Sequence, residues 1–303
     1  MNPTNRYNAI ILAFFVTFLW ASSWVLIKIG LADIPALTFA GLRYSLAFLA
    51  LTPFLFRSKN RAVLAGLSRL DWLLLIILGV LFYALTQGSQ FLGLAYLPAV
   101  TVSLLLSFTS VVITLLGIIF LGEVPNTHQW LGVIIATLGG MLYFYPIDLP
   151  ATQILGLVVV LVGVLTNSAS AVLGRHINRI GKIPPLLVTL VSMGVGSILL
   201  LISGLLAKGL PNLPLASWAI IVWLAIVNTA LAFTLWNHTL RTLSAMESGV
   251  INNTMLIQIA VLAWIFLGER LNWQEGLGLG VVALGTLLVQ LKPLSRAEKS
   301  PAD

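Results

Sequence analysis

Polar residues break this 303-residue chain into a succession of long apolar runs, ten in all, at about 8–31, 35–56, 71–96, 98–121, 127–146, 153–176, 185–207, 215–240, 245–267 and 273–291. Each is close to the roughly 20 residues that a helix needs to cross a hydrocarbon core of about 30 Å. The runs are continuous and do not alternate polar with apolar, so of the two structures that satisfy their backbone within lipid, helix and closed barrel, they predict helix. The expected fold is therefore an all-α integral membrane protein with ten transmembrane helices. Short connections marked by Pro, Asn or Gly, such as "ADIP", "YLPA", "YPIDLP" and "KGLPNLP", leave no room for a soluble domain. The first run, "AIILAFFVTFLWASSWVLIKIGL", is too long and lacks the small-residue cleavage site of a secretory signal, and so counts as the first span.

The pattern repeats. "FLGEVPNTHQWLG" at 120–132 returns as "FLGERLNWQEGLG" at 266–278, an offset of 146 residues that also carries Leu138 and Gly139 onto Leu284 and Gly285, and Leu94, Leu97 and Ala99 onto Leu240, Leu243 and Ala245. With a slip of one residue, Ser23, Val25, Leu26 and Lys28 fall on Ser170, Val172, Leu173 and Arg175. The chain thus divides into two five-helix units, 1–147 and 148–303, the second ending in a short tail. Five is odd, so the second unit crosses in the opposite sense. Such inverted repeats are a transporter signature, because two mirrored halves around a midplane site exchange an inward-open for an outward-open state at similar energy. The contrasting expectation is a duplication that yields only a stable, non-transporting membrane scaffold.

Composition sharpens this picture. The chain is 59% apolar and 8% charged, with a mean hydropathy of +1.04. Its net charge of +7 comes from residues placed between the spans and never in one stripe, so no nucleic-acid partner is expected. With a cytoplasmic N-terminus, twelve of the sixteen Lys and Arg lie on the inside: Arg6; Arg57, Lys59, Arg61 and Arg69; Arg175, Arg179 and Lys182; Arg241; and Lys292, Arg296 and Lys299. That bias predicts both termini in the cytoplasm. The chain has no Cys, which excludes disulfides and thiol chemistry. His128, His176 and His238 lack ligand-like spacing, no nucleophile–base pair is recognisable, and neither a metal nor another cofactor is expected. "GLGLG" at 276–280 follows no strand and predicts close helix packing through Gly276 and Gly280.

On these features the chain resembles the EamA family of the drug/metabolite transporter superfamily. The resemblance rests on ten spans in two repeats, on the doubled "FLGE", on "AYLPAVTVSLL" and "RTLSAMESGVI" leading into the paired helices, and on "FLWASSWVLIKIG" in the first helix. It implies a small-solute carrier of the inner (plasma) membrane, often an exporter of amino acids or other metabolites. It also implies a central cavity lined by the first, third and fourth helices and their mates, the sixth, eighth and ninth.

Polar side chains inside spans need a bundle partner or a wet cavity. Trp20 and Trp24 share a face of the first helix with Thr17 and Lys28, and Tyr83 and Gln87 share one of the third with Gln90. The fourth helix offers Ser107 between Ser103 and Ser110, the sixth Asn167 and Ser170, the eighth Asn228, and the ninth Asn252 and Asn253. Trp20, Trp24, Tyr83, Gln87, Ser107, Asn167, Ser170, Asn228 and Asn253 are accordingly the candidate substrate-binding residues. Amides and hydroxyls would orient a solute's polar groups while aromatic rings meet its apolar part. The alternative for each residue is a hydrogen bond to a neighbouring helix.

Arg43, eight residues into the second span, is expected to pair with Asp33 or to snorkel outward in preference to meeting an anionic solute. Every Asp and Glu falls near a helix end, so no carboxylate is expected at mid-membrane; Glu247 and His238 come nearest. The expected function is a secondary transporter of small amphipathic metabolites, amino acids first, with a drug or organic-cation exporter as the alternative. Its partners are the small-molecule substrate and the lipid bilayer, and the chain acts as a monomer or homodimer. Glu123 is expected at the cytoplasmic face and Glu269 at the outer face, each capping the N–H groups that open the following helix.

Overall fold

The computed structural model describes residues 3–121, 126–145, 150–209, 211–239, 242–243 and 245–290. Among these the chain is helical throughout, with fourteen α-helices and no strand. Helix α1 spans Pro3–Gly30 and α2 Ala36–Leu51, continued by a 3-10 stretch at Thr52–Phe56. The short α3 is Ser58–Ala65. Helices α4 (Arg69–Leu78) and α5 (Gln87–Tyr96) are joined by a π-helical stretch at Gly79–Thr86. Then come α6 (Ala99–Ser107), α7 (Thr109–Leu121), α8 (Thr127–Phe144), α9 (Ala151–Ile180) and α10 (Pro185–Lys208). Helices α11 (Leu215–Ala225) and α12 (Ala232–Thr239) flank a second π-helical stretch at Ile226–Leu231, before α13 (Ala245–Leu267) and α14 (Trp273–Gln290).

A helical run stands at each of the ten expected spans. Seven are long and apolar enough to cross a membrane: Arg6–Gly30, Ala36–Phe56, Arg69–Tyr96, Ala99–Leu116, Gln153–Asn178, Pro185–Lys208 and Val250–Leu267; Leu215–Leu231 and Trp273–Val289 are shorter apolar helices. The protein is a multi-pass membrane protein, and its surface agrees. Ile154, Val158, Leu161 and Leu165 recur at three- and four-residue spacing on α9, each at least half exposed, an apolar stripe suited to lipid.

The helix starts are written locally. Helices α2, α6, α9, α10 and α11 begin directly after Pro35, Pro98, Pro150, Pro184 and Pro214, whose fixed φ suits a helix entry and which lack the N–H that would go unpaired there. Helix α8 opens with a reciprocal box in which Gln129 N–H donates to Asn126 Oδ1 (2.9 Å) and Asn126 N–H to Gln129 Oε1 (3.0 Å). Helix α14 opens the same way, with Glu275 N–H donating to Asn272 Oδ1 (2.8 Å) and Asn272 N–H to Glu275 Oε2 (2.7 Å). These boxes cap the helices that follow the repeated phrase, and Glu269 of its second copy caps neither of them. Asn272→Ala is expected to lower stability by about 1 kcal/mol in a detergent melt; no change would assign the box no energetic role.

Packing is antiparallel and reciprocal. Helix α8 lies along α14 and α2 along α10. A Cβ on Gly139 would come within 2.6 Å of Val282 N and one on Gly278 within 2.7 Å of Tyr143 N, while Gly132 faces the Gly285 carbonyl and Gly285 faces Ala136. The repeat mates Gly132/Gly278 and Gly139/Gly285 thus meet crosswise. The expectation for Gly276 and Gly280 is corrected: both face open space. Gly278 and Gly285, seven residues apart, share one face of α14, and Gly276 and Gly280 turn away from it. Helix α1 packs on α13, and the π-helical stretch of the first half packs on α9 and α10.

Candidate solute cavity

A cavity of about 430 Å³ lies where α1, α2, α5 to α7, α9, α12, α13 and the two π-helical stretches converge, within the roughly 300–1,000 Å³ range of small-molecule sites. Seven of the nine candidate residues line it: Trp20, Trp24, Gln87, Ser107, Asn167, Asn228 and Asn253. Helices α8, α10 and α14 contribute no lining residue and form the frame.

The lining side chains are held from behind. Trp20 packs at 5.4 Å from Phe233 and 5.2 Å from Trp236, ring centre to ring centre, so its ring is held among aromatic neighbours at the cavity. Gln87 Oε1 accepts the Tyr44 hydroxyl at 2.6 Å. Asn167 Nδ2 donates to Thr109 Oγ1 at 3.2 Å. Ser107 donates to its own helix at Leu104 O (2.6 Å), which leaves the lone pairs of its hydroxyl oxygen to accept. Asn228, fully buried, donates from Nδ2 to Leu19 O and, at 3.2 Å, to Ser22 Oγ.

Tyr83 and Ser170 stand apart from the lining. Tyr83 is buried with its ring against Phe82 and Tyr44, and Phe82 faces the cavity instead. The cause is the π-helical stretch at Gly79–Thr86. Tyr83 and Gln87 share a face only at α-helical spacing, and the wider turn rotates Tyr83 off it. Ser170 is buried and donates to Asn167 O at 2.7 Å within its own helix.

The two π-helical stretches are matched. In each, a Thr hydroxyl reaches the carbonyl five residues earlier: Thr86 to Leu81 O and Thr229 to Leu224 O, both at 2.8 Å. π-Helical turns are rare and concentrate at functional sites. Through Thr86 and Asn228, one widened turn from the first five-helix unit and one from the second reach the cavity lining.

Sequence periodicity does not single out Arg43 and Tyr44, both of which line the cavity from α2. Arg43 is buried, and its guanidinium carbon lies 5.2 Å from the Tyr44 ring centre and 5.9 Å from that of Phe91. Its Nε–H donates to Thr229 Oγ1 at 3.2 Å. Asp33 accepts instead from Ser217 Oγ at 2.8 Å, so the expected Arg43–Asp33 pair and the snorkelling alternative both give way to an inward orientation. The available signal was the charge inside an apolar run.

A polar cluster at the α5–α6 turn lies beyond one end of the cavity lining, with Lys28 one helical turn past Trp24 and Ala99 and Val100 about one turn before Ser103. Lys28 Nζ donates to Leu94 O (2.6 Å) and Leu97 O (2.7 Å), buried carbonyls in the last turn and at the C-cap of α5. Glu269 accepts from the N–H groups of Ala99 (2.7 Å) and Val100 (3.1 Å), which open α6. Pro98 has no side chain that could do so. Gly268, in the left-handed region at φ 69°, turns the chain out of α13 so that Glu269 faces α6. Glu269 thus caps a helix of the other half, which corrects the expectation that it caps its own successor. Glu123 lies outside the described residues, as does the side chain of Glu247; His238 is exposed.

Comparison with known proteins decides the family. The EamA-like transporter family matches residues 7–145 and again 154–291. The chain belongs to that family. It is 28% identical over 322 residues to the uncharacterized transporter YvbV of Bacillus subtilis, covering 99% of this chain and 96% of the relative. It is also 22% identical to the uncharacterized transporter YoaV of the same organism, covering 90% and 93%. An uncharacterized transporter of Archaeoglobus fulgidus is 26% identical, covering 90% and 94%. One crystal structure superposes on 93% of this chain and 97% of its own with a TM-score of 0.62 at 14% identity, a likeness of fold. Its family makes this EamA-like protein a membrane transporter.

Proposed function

We propose that this EamA-like protein is a secondary carrier that moves small amphipathic metabolites, amino acids and their relatives first, outward through the central cavity by alternating access. The observation that carries the reading is the cavity: amides, hydroxyls and aromatic rings from both halves face one volume, and a polar cluster lies beyond one end of its lining. The unit of motion is the five-helix half, with ten spans in two inverted copies. This reading is supported by the separate family matches of the two halves, by the crosswise glycine contacts of α8 and α14, and by the paired π-helical stretches. With both termini in the cytoplasm of a bacterial cell, the end that carries this cluster faces outward, and on this reading the state is inward-facing.

Counterflow of labelled amino acids in proteoliposomes tests this. Exchange is expected for part of a broad panel, with Asn167→Ala and Gln87→Ala each lowering it by about tenfold, the size of one well-placed polar contact. A panel in which nothing exchanges, together with inert variants, would overturn the carrier reading.

A further inference from the structure

The structure assigns a chemical class to the solute: we infer that it carries a carboxylate, which Arg43 receives, beside a hydrogen-bond donor, which Asn228 Oδ1 accepts. This rests on the proposed carrier function and narrows it.

Arg43 is 5% exposed yet lines the cavity. Its Nε–H is taken up by Thr229 Oγ1. That hydroxyl is fixed in turn by donating to Leu224 O, so the π-helical stretch aims the guanidinium. Tyr44 and Phe91 lie within cation–π distance of the guanidinium and steady it, but they supply no countercharge. Among the described residues, the terminal NH2 groups of Arg43 meet no protein acceptor and no carboxylate. A guanidinium always holds its charge, and its paired N–H groups match the two oxygens of a carboxylate. A buried, unpaired cation in a protein of this kind is costly, which makes an anionic ligand its natural complement.

The second group is the residue before Thr229. Both Nδ2 bonds of Asn228 run to α1, and the acceptor Leu19 O fixes which end of the amide is the nitrogen. Its Oδ1 is then buried with no hydrogen-bond partner, although Asn228 lines the cavity. A buried acceptor without a partner calls for a donor. Asn228 and Thr229 are adjacent, so the acceptor and the Arg43 anchor sit on one turn. An amino or hydroxyl group close to the carboxylate, as in an amino acid or a hydroxy acid, meets both. A single cation with no second basic side chain in the lining suits a monoanionic carboxylate better than a phosphate dianion. It repels the organic cations of the alternative reading.

The experiment compares matched solutes on the full-length protein, by counterflow and by thermal shift. The panel pairs each of several amino acids with its amide, its decarboxylated amine and its hydroxy acid. The free acids and hydroxy acids are expected to bind, and the amides and amines to bind about 30-fold more weakly, as for loss of a buried charged partner. Arg43→Gln is expected to erase that preference and Arg43→Lys to keep part of it, with the melting temperature of each unliganded variant reporting whether it folds. Should Arg43→Gln not fold, the acid-to-amide ratio of the unmodified protein still decides. Equal binding of acids and amides, or preference for amines, overturns this inference and leaves the carrier standing. Failure of every solute to bind or exchange overturns both.

Discussion

Glu269→Ala is expected to unlatch the polar cluster at the α5–α6 turn and, if that cluster gates the cavity, to lower transport at least tenfold. The carboxylate satisfies two N–H groups on Ala99 and Val100, residues that are 0% and 1% exposed. Removing it leaves both donors buried without an acceptor, at a cost of about 2 kcal/mol or more, which moves the closed-to-open ratio by about 30-fold. Glu269→Gln keeps one amide oxygen for one N–H and is expected to fall between. Lys28→Met should act in the same direction, because it frees the Leu94 and Leu97 carbonyls that its ammonium gathers. The absence of cysteine makes the measurement clean. A single Ser107→Cys in the cavity wall, treated with a membrane-impermeant maleimide from the side of the α5–α6 turn, should label faster when Glu269 is Ala. Unchanged labelling and unchanged transport would show that the cluster does not gate the cavity.

The second large effect is expected at the α8–α14 crossing. Gly139→Val sets new carbon against the backbone of α14, which cannot rotate away as a side chain would, with Val282 N already at 2.6 Å from the Cβ position. Overpacking of this kind costs about 3 kcal/mol, and Gly278→Val should behave alike against Tyr143. Gly280→Val is the control: its Cβ position meets open space, and a shift within about 0.5 kcal/mol is expected. Thermal melts in detergent compare the three. If Gly280→Val destabilises as much as Gly139→Val, the crossing is not where the two helices are held.

The contrast within "GLGLG" shows how far sequence carried and where it stopped. Composition and run length located the long helical stretches to within about five residues, because crossing a membrane fixes length and polarity together, while the short polar α3 between two spans went unmarked. Which glycines face a neighbour depends on where that neighbour lies, and the sequence marks only that small residues are present. The cavity shows the same limit. Polar residues such as Gln87 and Asn167 were legible because lipid tolerates few of them. Tyr83 was assigned to their face by α-helical spacing, and the π-helical turn at Gly79–Thr86, which no local motif announces, moves it. Glu269 was recognised as a cap, but its target lies 170 residues away in the chain. A contact that distant comes only from the packed structure.

The placement of Arg43 has a thermodynamic consequence. It stands eight residues after the proline that opens α2, and the position eight residues after the proline that opens α10 holds Ser192, buried and bonded to its own helix at Val188 O. The charge therefore has no mirror image. In a carrier built from two matched halves, equal halves would leave the empty protein indifferent to which side it faces. A lone cation removes that indifference, since the two access states hydrate it unequally. On the proposed mechanism the empty protein would then have a resting side, and an anion that neutralises the guanidinium would cancel the bias as it binds. Occupancy and orientation become linked through a single side chain.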